Sequence, residues 1–378
     1  MNILLITSVL FLLVYTALII LYSIRWPKNC FIPRAGFTGS DKTNTHFSII
    51  IAARNEEKHI GCLLQAIQNQ TYASGNFEVI VVDDYSTDGT ASIVQQFAFA
   101  NLIKLKDIDG TQQLNSYKKK ALETGIAQAK GEWIVCTDAD CRVPPQWLET
   151  IAAFIEEKKP QMIVMPVAIQ CSSRPIEIFQ ALDFMTLQGI TATMLHHMCN
   201  GANLAYTKKA FDAVNGFDGI DEVASGDDML LMYKIAKSFR GEIQYLKSTN
   251  VIVQTAPVKD VKEFFQQRIR WASKTGQYKE KGIWLSMLLV YLVNVLLLAF
   301  PVVALGTGNI LYVKPWLALL VAKTGVEFVF LFPVAGFFNQ KKLLWLFPLA
   351  QPFHIAYIVI AGWLGKFGSY NWKGRTVK

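Results

Sequence analysis

Residues 1–24 carry no charged side chain. As a helix rising about 1.5 Å per residue they would run about 36 Å, longer than a bilayer's hydrocarbon core of about 30 Å. A cleaved signal peptide would want a basic start, a shorter apolar stretch and a small-residue cleavage site. The run has none of these, so it reads as a retained membrane anchor. Arg25, Lys28 and Arg34 follow it, which places the next segment in the cytoplasm. Three more apolar runs lie near the other end. Residues 283–305 are entered through Lys279 and Lys281 and end at a Gly-Thr-Gly-Asn break, 306–309. Residues 316–338 contain Lys323 and Glu327, four apart and so on one helix face, either as an ion pair or on an interfacial helix. Residues 343–365 are interrupted by Pro348 and Pro352. Three full crossings here would put the basic tail (Lys366, Lys373, Arg375, Lys378) outside, against the positive-inside tendency. One C-terminal segment is therefore expected to be interfacial or re-entrant, with the tail cytoplasmic.

The formal net charge of +8 invites a nucleic-acid reading, and its distribution argues against one. Residues 46–278 hold 26 acidic and 23 basic side chains. The surplus sits beside the apolar runs, so it reports membrane orientation rather than phosphate-backbone binding. The six cysteines (Cys30, Cys62, Cys136, Cys141, Cys171, Cys199) form no CxxC pair, and reduced thiols without a zinc site are expected.

Between the anchor and the second apolar run the pattern alternates strand and helix, as in an α/β domain with a parallel sheet. HFSIIIAA (46–53) is a short apolar run of buried-strand type, and a helical pattern from Asn55 carries Ile60, Leu63, Leu64 and Ile67 on one face. FEVIVV (77–82) ends in Asp83-Asp84, and Asp88 is placed to cap the next helix. A third strand is expected over 102–105, a helix over 118–130, and a fourth strand, EWIVCT (132–137), that ends in Asp138-Ala139-Asp140. Two strands thus deliver carboxylates at their C-terminal ends, where open α/β sheets bind ligands.

Each acidic cluster has a plain reading and a chemical one. Asp138 and Asp140 suit a solvated turn, or a hard divalent cation that also takes diphosphate oxygens. Asp83-Asp84 suit helix capping, which Asp88 could supply by itself, or a carboxylate that accepts a hydrogen bond from a nucleobase N–H or a ribose hydroxyl. Asp227-Asp228 precede an apolar-periodic helix, where acids favour the dipole, or where one serves as general base. Gln267-Arg268-Ile269-Arg270-Trp271 suits a headgroup anchor, or an Arg that meets a leaving diphosphate.

Taken in order, SIIIAARNEE, VVDDYSTDGT, KKKALETGIAQAKGEWIVCTDAD, GANLAYTKKAFDAVNGFD, SGDDMLL and QQRIRW resemble the membrane-integrated branch of the family 2 glycosyltransferases, over about 46–271. The branch includes cellulose-, chitin- and hyaluronan-synthase relatives and lipid glycosyltransferases. The resemblance implies a GT-A (Rossmann-like nucleotide-diphospho-sugar transferase) domain with one N-terminal and two to three C-terminal membrane helices. It implies inverting, metal-dependent transfer with Mg²⁺ or Mn²⁺ on Asp138 and Asp140, and a nucleotide-sugar donor, most often of uridine. Ala52, Arg54, Glu56, Asp84, Lys118, Asp138, Gln267 and Arg270 would hold the donor. Asp228 would be the base, and Gly201, Ala202, Asn203, Asp227 and Trp271 would shape the acceptor site. Asp227 stands where Glu is usual, and Glu123 where Asn is common.

The expected organisation is an anchor (1–24), a linker (25–45), a catalytic domain (46–257), an interfacial segment (258–282), membrane helices (283–365) and a tail (366–378). The implied function is sugar transfer to a lipid or lipid-linked glycan at the cytoplasmic face of the inner membrane. The rivals are a processive polysaccharide synthase, an inactive membrane scaffold and, with few spans and no repeat, a transporter. Oligomeric state is left open.

Overall fold

The computed structural model describes residues 2–34, 45–109, 116–223, 226–273, 280–367, 370–372 and 375–377. The helices are α1 (Asn2–Arg25), α2 (Ile60–Gln68), α3 (Thr90–Val94), α4 (Leu105–Asp109), α5 (Tyr117–Gln128), α6 (Trp147–Lys158), α7 (Pro175–Ala192), α8 (Lys208–Ala213), α9 (Met229–Ser238), α10 (Val261–Ser273), α11 (Lys281–Thr307), α12 (Val313–Phe337) and α13 (Phe347–Phe367). The strands are β1 (Phe47–Ala53), β2 (Phe77–Asp83), β3 (Ala100–Lys104), β4 (Trp133–Cys136), β5 (Cys141–Arg142), β6 (Met162–Val164), β7 (Val167–Ile169), β8 (Leu204–Thr207), β9 (Ile243–Tyr245) and β10 (Val253–Thr255).

Seven strands form one sheet in the order β3-β2-β1-β4-β8-β6-β9, and β5-β10-β7 form a second. β3, β2, β1 and β4 run parallel, while β8 is antiparallel to both its neighbours. Ala53 lies opposite Asp83, and Ile50 opposite Cys136, so the C-terminal ends of β1, β2 and β4 open on one edge. Apolar side chains cover both faces of these strands, which is why they read as continuous apolar runs. The chain has the GT-A fold, with one long apolar helix before the catalytic domain and three after it.

Three local expectations change. The helix expected from Asn55 begins at Ile60, because 54–59 is tied into the neighbouring loop. Asn55 sits at φ 53°, the Arg54 guanidinium donates to the Asp84 and Tyr85 carbonyls (2.8 and 3.1 Å), and Asn55 Oδ1 accepts the Thr87 N–H at 2.8 Å. β3 lies two residues earlier than expected at its start, and Leu105 instead opens α4. The prolines do not break the last helix. Pro348 is in the first turn of α13, where an N–H has no partner, and Pro352 forfeits a single bond, to the residue 348 carbonyl.

α1, α11, α12 and α13 are long and apolar enough to cross a membrane. The buried positions of α1 are Ser8, Leu12, Tyr15, Ile19 and Tyr22, alternately four and three apart, the seam of helices packed at a shallow angle. α7 joins the two halves. Ala181 and Phe184 enter the core against the sheet, while Ile178, Leu182 and Met185 enter the core built with the apolar helices. Gly189 lets α7 approach α12, since a Cβ there would lie 2.8 Å from Val334 and 2.9 Å from Phe330. α13 packs along α10 and α7, with Tyr357 and Ala361 against Phe179 and Phe264. The boundary stretches 36–45 and 274–282, and the basic side chains of the tail, lie largely outside the described residues.

Candidate active site

The shared edge of β1, β2 and β4 carries Arg54, Asp84 and the Asp138-Ala139-Asp140 turn. Asp84 is buried, and its N–H donates to the Ala53 carbonyl at 2.8 Å. Asp88 closes the same loop. Burial alone would raise its carboxyl, but the Thr90 hydroxyl and the N–H groups of Thr90 and Glu57 outweigh that and hold it low. Glu56 is buried and meets His59 Nδ1 at 2.9 Å.

Lys118, in the first turn of α5, reaches across this edge. Its ammonium lies 2.8 Å from Asp138 Oδ1 and 3.3 Å from Asp227 Oδ2. Burial alone would depress the lysine. The charges of Asp138 and Asp227, with help from Asp228, more than reverse this and hold it well above its usual value. Asp228 caps α9: its Oδ1 accepts the Met229 N–H at 2.7 Å, and its Oδ2 accepts the Gly201 N–H at 3.0 Å. The capping reading and the base reading of Asp228 are therefore compatible, since capping fixes where the carboxylate points. The loop fits closely here, since a Cβ at Gly201 would lie 3.3 Å from Asp227 Oδ2 and 3.6 Å from Lys118 Nζ.

Asp138 and Asp140 offer hard oxygen donors, the chemistry Mg²⁺ and Mn²⁺ prefer. Among the described residues no group of three or more His, Cys, Asp or Glu forms a closed metal cage. A divalent ion held by two carboxylates would complete its shell with diphosphate oxygens and water, so the residues present fit such an ion.

The motif on α10 is built around a residue that the sequence reading passed over. Arg268 is buried and donates Nε and Nη2 to Asp183 Oδ2 on α7, at 3.0 and 2.6 Å. Its guanidinium lies between the rings of Phe264 and Trp271, 4.6 and 4.3 Å from their centroids. Its Nη1 donates to Gln267 Oε1 at 2.6 Å. Tyr357 on α13 donates its hydroxyl to Asp183 as well. Asp183 had a sequence signal: it is the sole charge between 178 and 195.

One cavity of about 1090 Å³ gathers Ala52, Arg54, Glu56, Asp84, Lys118, Asp138, Asp140, Gly201, Ala202, Asp227, Asp228, Gln267, Arg270 and Trp271. Asn203 is the exception. It is fully buried, accepts from Trp147 Nε1 at 3.0 Å and donates to the carbonyls of Pro166 and Val251, so it braces the 200–203 loop from behind. The cavity continues between the apolar helices as far as Tyr15, Glu327 and Gln351. There the Lys323–Glu327 pair forms at 2.7 Å. Lys323 also donates to Gln351 Oε1, Gln351 donates back to Glu327 at 2.6 Å, and Tyr15 donates its hydroxyl to Glu327.

The sheet edge thus carries an Asp-x-Asp turn, a lysine reaching across it and an acid-capped helix. The "Glycosyl transferase family 2" model matches residues 48–214, and the "Glycosyl transferase family group 2" model matches 133–350. The chain belongs to glycosyl transferase family 2. Among curated relatives, glycosyltransferase AglE of Haloferax volcanii is 42% identical over 105 residues, 27% of this chain and 33% of that protein. The beta-monoglucosyldiacylglycerol synthase of Nostoc sp. is 27% identical over 230 residues, 60% of this chain and 48% of that protein. The matches thus span a third to a half of these relatives. Among solved structures, the mannosyltransferase PcManGT of Pyrobaculum calidifontis, in complex with GDP-Man and Mn²⁺, superposes with a TM-score of 0.57 at 20% identity. That match covers 96% of this chain and 98% of PcManGT, and it bears on the fold.

Proposed function

We propose that the protein is an inverting, metal-dependent glycosyltransferase that moves one sugar from a nucleoside-diphosphate sugar to a lipid or lipid-linked glycan at the cytoplasmic face of the cell membrane. The observation that carries this reading is the single cavity joining the Asp84–Lys118–Asp138 edge, through Asp228, to the apolar helices. A donor bound at the edge and an acceptor rising from lipid would meet at Asp228.

In this reading Arg54, Glu56 and Asp84 hold the nucleoside, and Lys118 orders Asp138 and Asp227. A divalent ion on Asp138 and Asp140 would supply positive charge to the diphosphate. Asp228 takes the acceptor hydroxyl proton, and the oxygen forms a bond to the anomeric carbon from the face opposite the departing group. The anomeric C–O bond to phosphate breaks, its electron pair leaves with the diphosphate, and Arg270 stabilises the charge that develops. Trp271, held by Arg268, walls the site where the acceptor enters, and Gln267, bonded to the same guanidinium, meets the donor. The name of the Nostoc relative supports a lipid acceptor, and the PcManGT complex with GDP-Man and Mn²⁺ supports a nucleotide donor with Mn²⁺. The packing of α13 along α10 and α7 supports an interfacial last helix and a cytoplasmic tail, which a protease-protection assay checks.

The test is transfer by purified full-length protein with a panel of UDP- and GDP-sugars and a membrane-lipid extract, products read by mass spectrometry. Addition of one sugar is expected, and long products would make it a processive synthase. Asp228→Asn is expected to lower turnover by about 10²- to 10⁴-fold with donor binding kept. Full activity in that variant would overturn the assignment of the base.

A further inference from the structure

Between 279 and 378 the chain has two acids, Glu280 and Glu327. Glu327 pairs with Lys323 among the apolar helices, and Glu280 opens α11. An acid at a helix N-terminus ordinarily caps it or answers the positive end of its dipole. The Glu280 side chain makes no capping hydrogen bond. Both its oxygens turn instead to the loop between α7 and β8, residues 193–203. Oε2 accepts the His197 N–H at 3.1 Å and lies 3.0 Å from His197 Nδ1, while Oε1 lies 3.5 Å from His196 Nδ1.

The two histidines carry this hold to other elements. His196 is buried, with Nε2 3.0 Å from the Tyr22 hydroxyl on α1 and 3.1 Å from the Ser286 hydroxyl on α11. A hydroxyl both donates and accepts, so it serves either state of that nitrogen. His197 is half-exposed, and its ring stands edge-on to Tyr233 of α9, 6.4 Å between centroids at 74°. Burial, and then the Glu280 charge, pushes the Tyr233 hydroxyl up, so the phenol stays neutral beside the carboxylate. Two consecutive residues thus touch α1, α11 and the helix that Asp228 caps.

The same loop forms a wall of the site. Met198, Cys199, Asn200, Gly201 and Ala202 line the cavity, and the Gly201 N–H donates to Asp228 Oδ2. Asn200 Oδ1 accepts the Ala202 N–H at 2.9 Å, and the Asn203 N–H donates to the Asn200 carbonyl at 3.0 Å, which closes 200–203 into a turn. Only Met198 and Cys199 separate this turn from His197, and the Met198 N–H is itself taken by the His196 carbonyl at 2.9 Å. Two residues span at most about 7 Å, so little slack remains between the Glu280 contact and the turn. A shift of His197 is passed to Gly201 rather than absorbed on the way.

We propose that Glu280, His196 and His197 are positioning residues for the base: the hydrogen bonds of Glu280 to the loop set where the Gly201 N–H stands, and so where the Asp228 carboxylate points. None of the three lies in the motifs that carry the family resemblance. The inference rests on the transferase reading of Asp228 and adds residues that act on it without touching substrate.

The experiment uses the full chain in vesicles, as parent, Glu280→Ala and Glu280→Gln. Glutamine keeps an oxygen for the His197 N–H, and alanine keeps none. Three quantities are read: sugar transferred from UDP- and GDP-sugars to a membrane-lipid extract, the affinity for UDP and GDP with Mg²⁺, and amide hydrogen exchange by mass spectrometry. Glu280→Ala is expected to lower transfer about 10- to 100-fold, as a misplacement of about 1 Å does, with nucleotide affinity unchanged. Exchange should quicken over 197–203 and in the first turn of α9, and stay as in the parent along β1, β2 and β4. Glu280→Gln should lie within about 2- to 10-fold of the parent, the worth of one hydrogen bond. Parent-level transfer by Glu280→Ala overturns the proposal, and so does a glutamine variant no faster than the alanine one. Faster exchange confined to 196–197 would make the contact a mere tether. Faster exchange throughout the sheet, with nucleotide affinity falling in step, would make it a general support of the fold. Either result overturns the positioning role. A parent that transfers sugar from no donor overturns the transferase reading, and exchange at 201 and in α9 then still decides whether Glu280 holds the loop.

Discussion

Replacing Arg268 with methionine keeps most of the apolar stem and removes the guanidinium. Arg268 is 5% exposed and Asp183 12%, so the loss leaves a carboxylate almost out of water. Breaking a buried pair in this way costs about 3–5 kcal/mol. The Tyr357 hydroxyl and His354, 3.7 Å from Asp183 Oδ1, offset part of it. The stacking on Phe264 and Trp271 adds about 0.5–2 kcal/mol per ring. A net loss of about 4 kcal/mol is a large share of the stability of an ordinary domain. It can be measured by titrating purified protein in mild detergent with SDS and following tryptophan fluorescence. Asp183→Asn with Arg268→Met is the informative double variant: a neutral amide needs no guanidinium, so the double change should cost less than the sum of the singles by about 1–3 kcal/mol. Turnover should fall in Arg268→Met even at temperatures where it stays folded, because Gln267 and Trp271 lose the group that orders them. Additive singles, or an Arg268→Met protein as stable as the parent, would refute the reasoning.

Gly131→Ala should destabilise the protein by about 1–3 kcal/mol or more, since the new Cβ would sit 2.6 Å from the Ser48 nitrogen and 2.7 Å from the Phe47 carbonyl carbon, both β1 backbone; the same SDS titration measures it. The ammonium of Lys118, with its pKa raised, is fully charged below the ordinary lysine value of about 10.4, and its contribution is lost only as pH rises through the higher folded value. Donor KM should therefore show no Lys118-dependent alkaline loss between about pH 7 and 10, and a lysine-dependent break in that range would refute the ion-pair assignment. Lys118→Met should raise donor KM about 10- to 100-fold, by analogy with losing a charged hydrogen-bond partner of about 1.5–3 kcal/mol. EDTA should abolish transfer, with Mg²⁺ or Mn²⁺ restoring it to the parent but not to Asp140→Asn; full activity after chelation would end the two-carboxylate metal assignment.

What the sequence disclosed was local. An apolar run followed by an acid is a strand with a carboxylate at its end, and two such strands, β2 and β4 on either side of β1, share one edge because parallel neighbours must align. The Lys323–Glu327 pair was legible from its spacing of four on a helix. The hidden contacts are long-range. Asp183 and Arg268 are 85 residues apart, and neither residue type nor periodicity says which carboxylate a guanidinium will meet. Asn203 follows Gly201 and Ala202, which line the cavity, yet its amide turns to Trp147, Pro166 and Val251, partners brought in by other elements. Asn55 looked helical by the apolar spacing that follows it, and the 84–87 loop overruled that local preference.

The hydrogen bond from Tyr357 to Asp183 bears on the order in which this chain can become active. Asp183 and Arg268 are both synthesised well before Tyr357, and their pairing is braced on the far side by a helix made almost at the end. A chain stopped after α12 would hold every carboxylate of the sheet edge and still lack the α13 wall beside α10. The Asp183–Arg268 pair therefore gains its Tyr357 partner, and the cavity its α13 wall, only once the last apolar helix has docked.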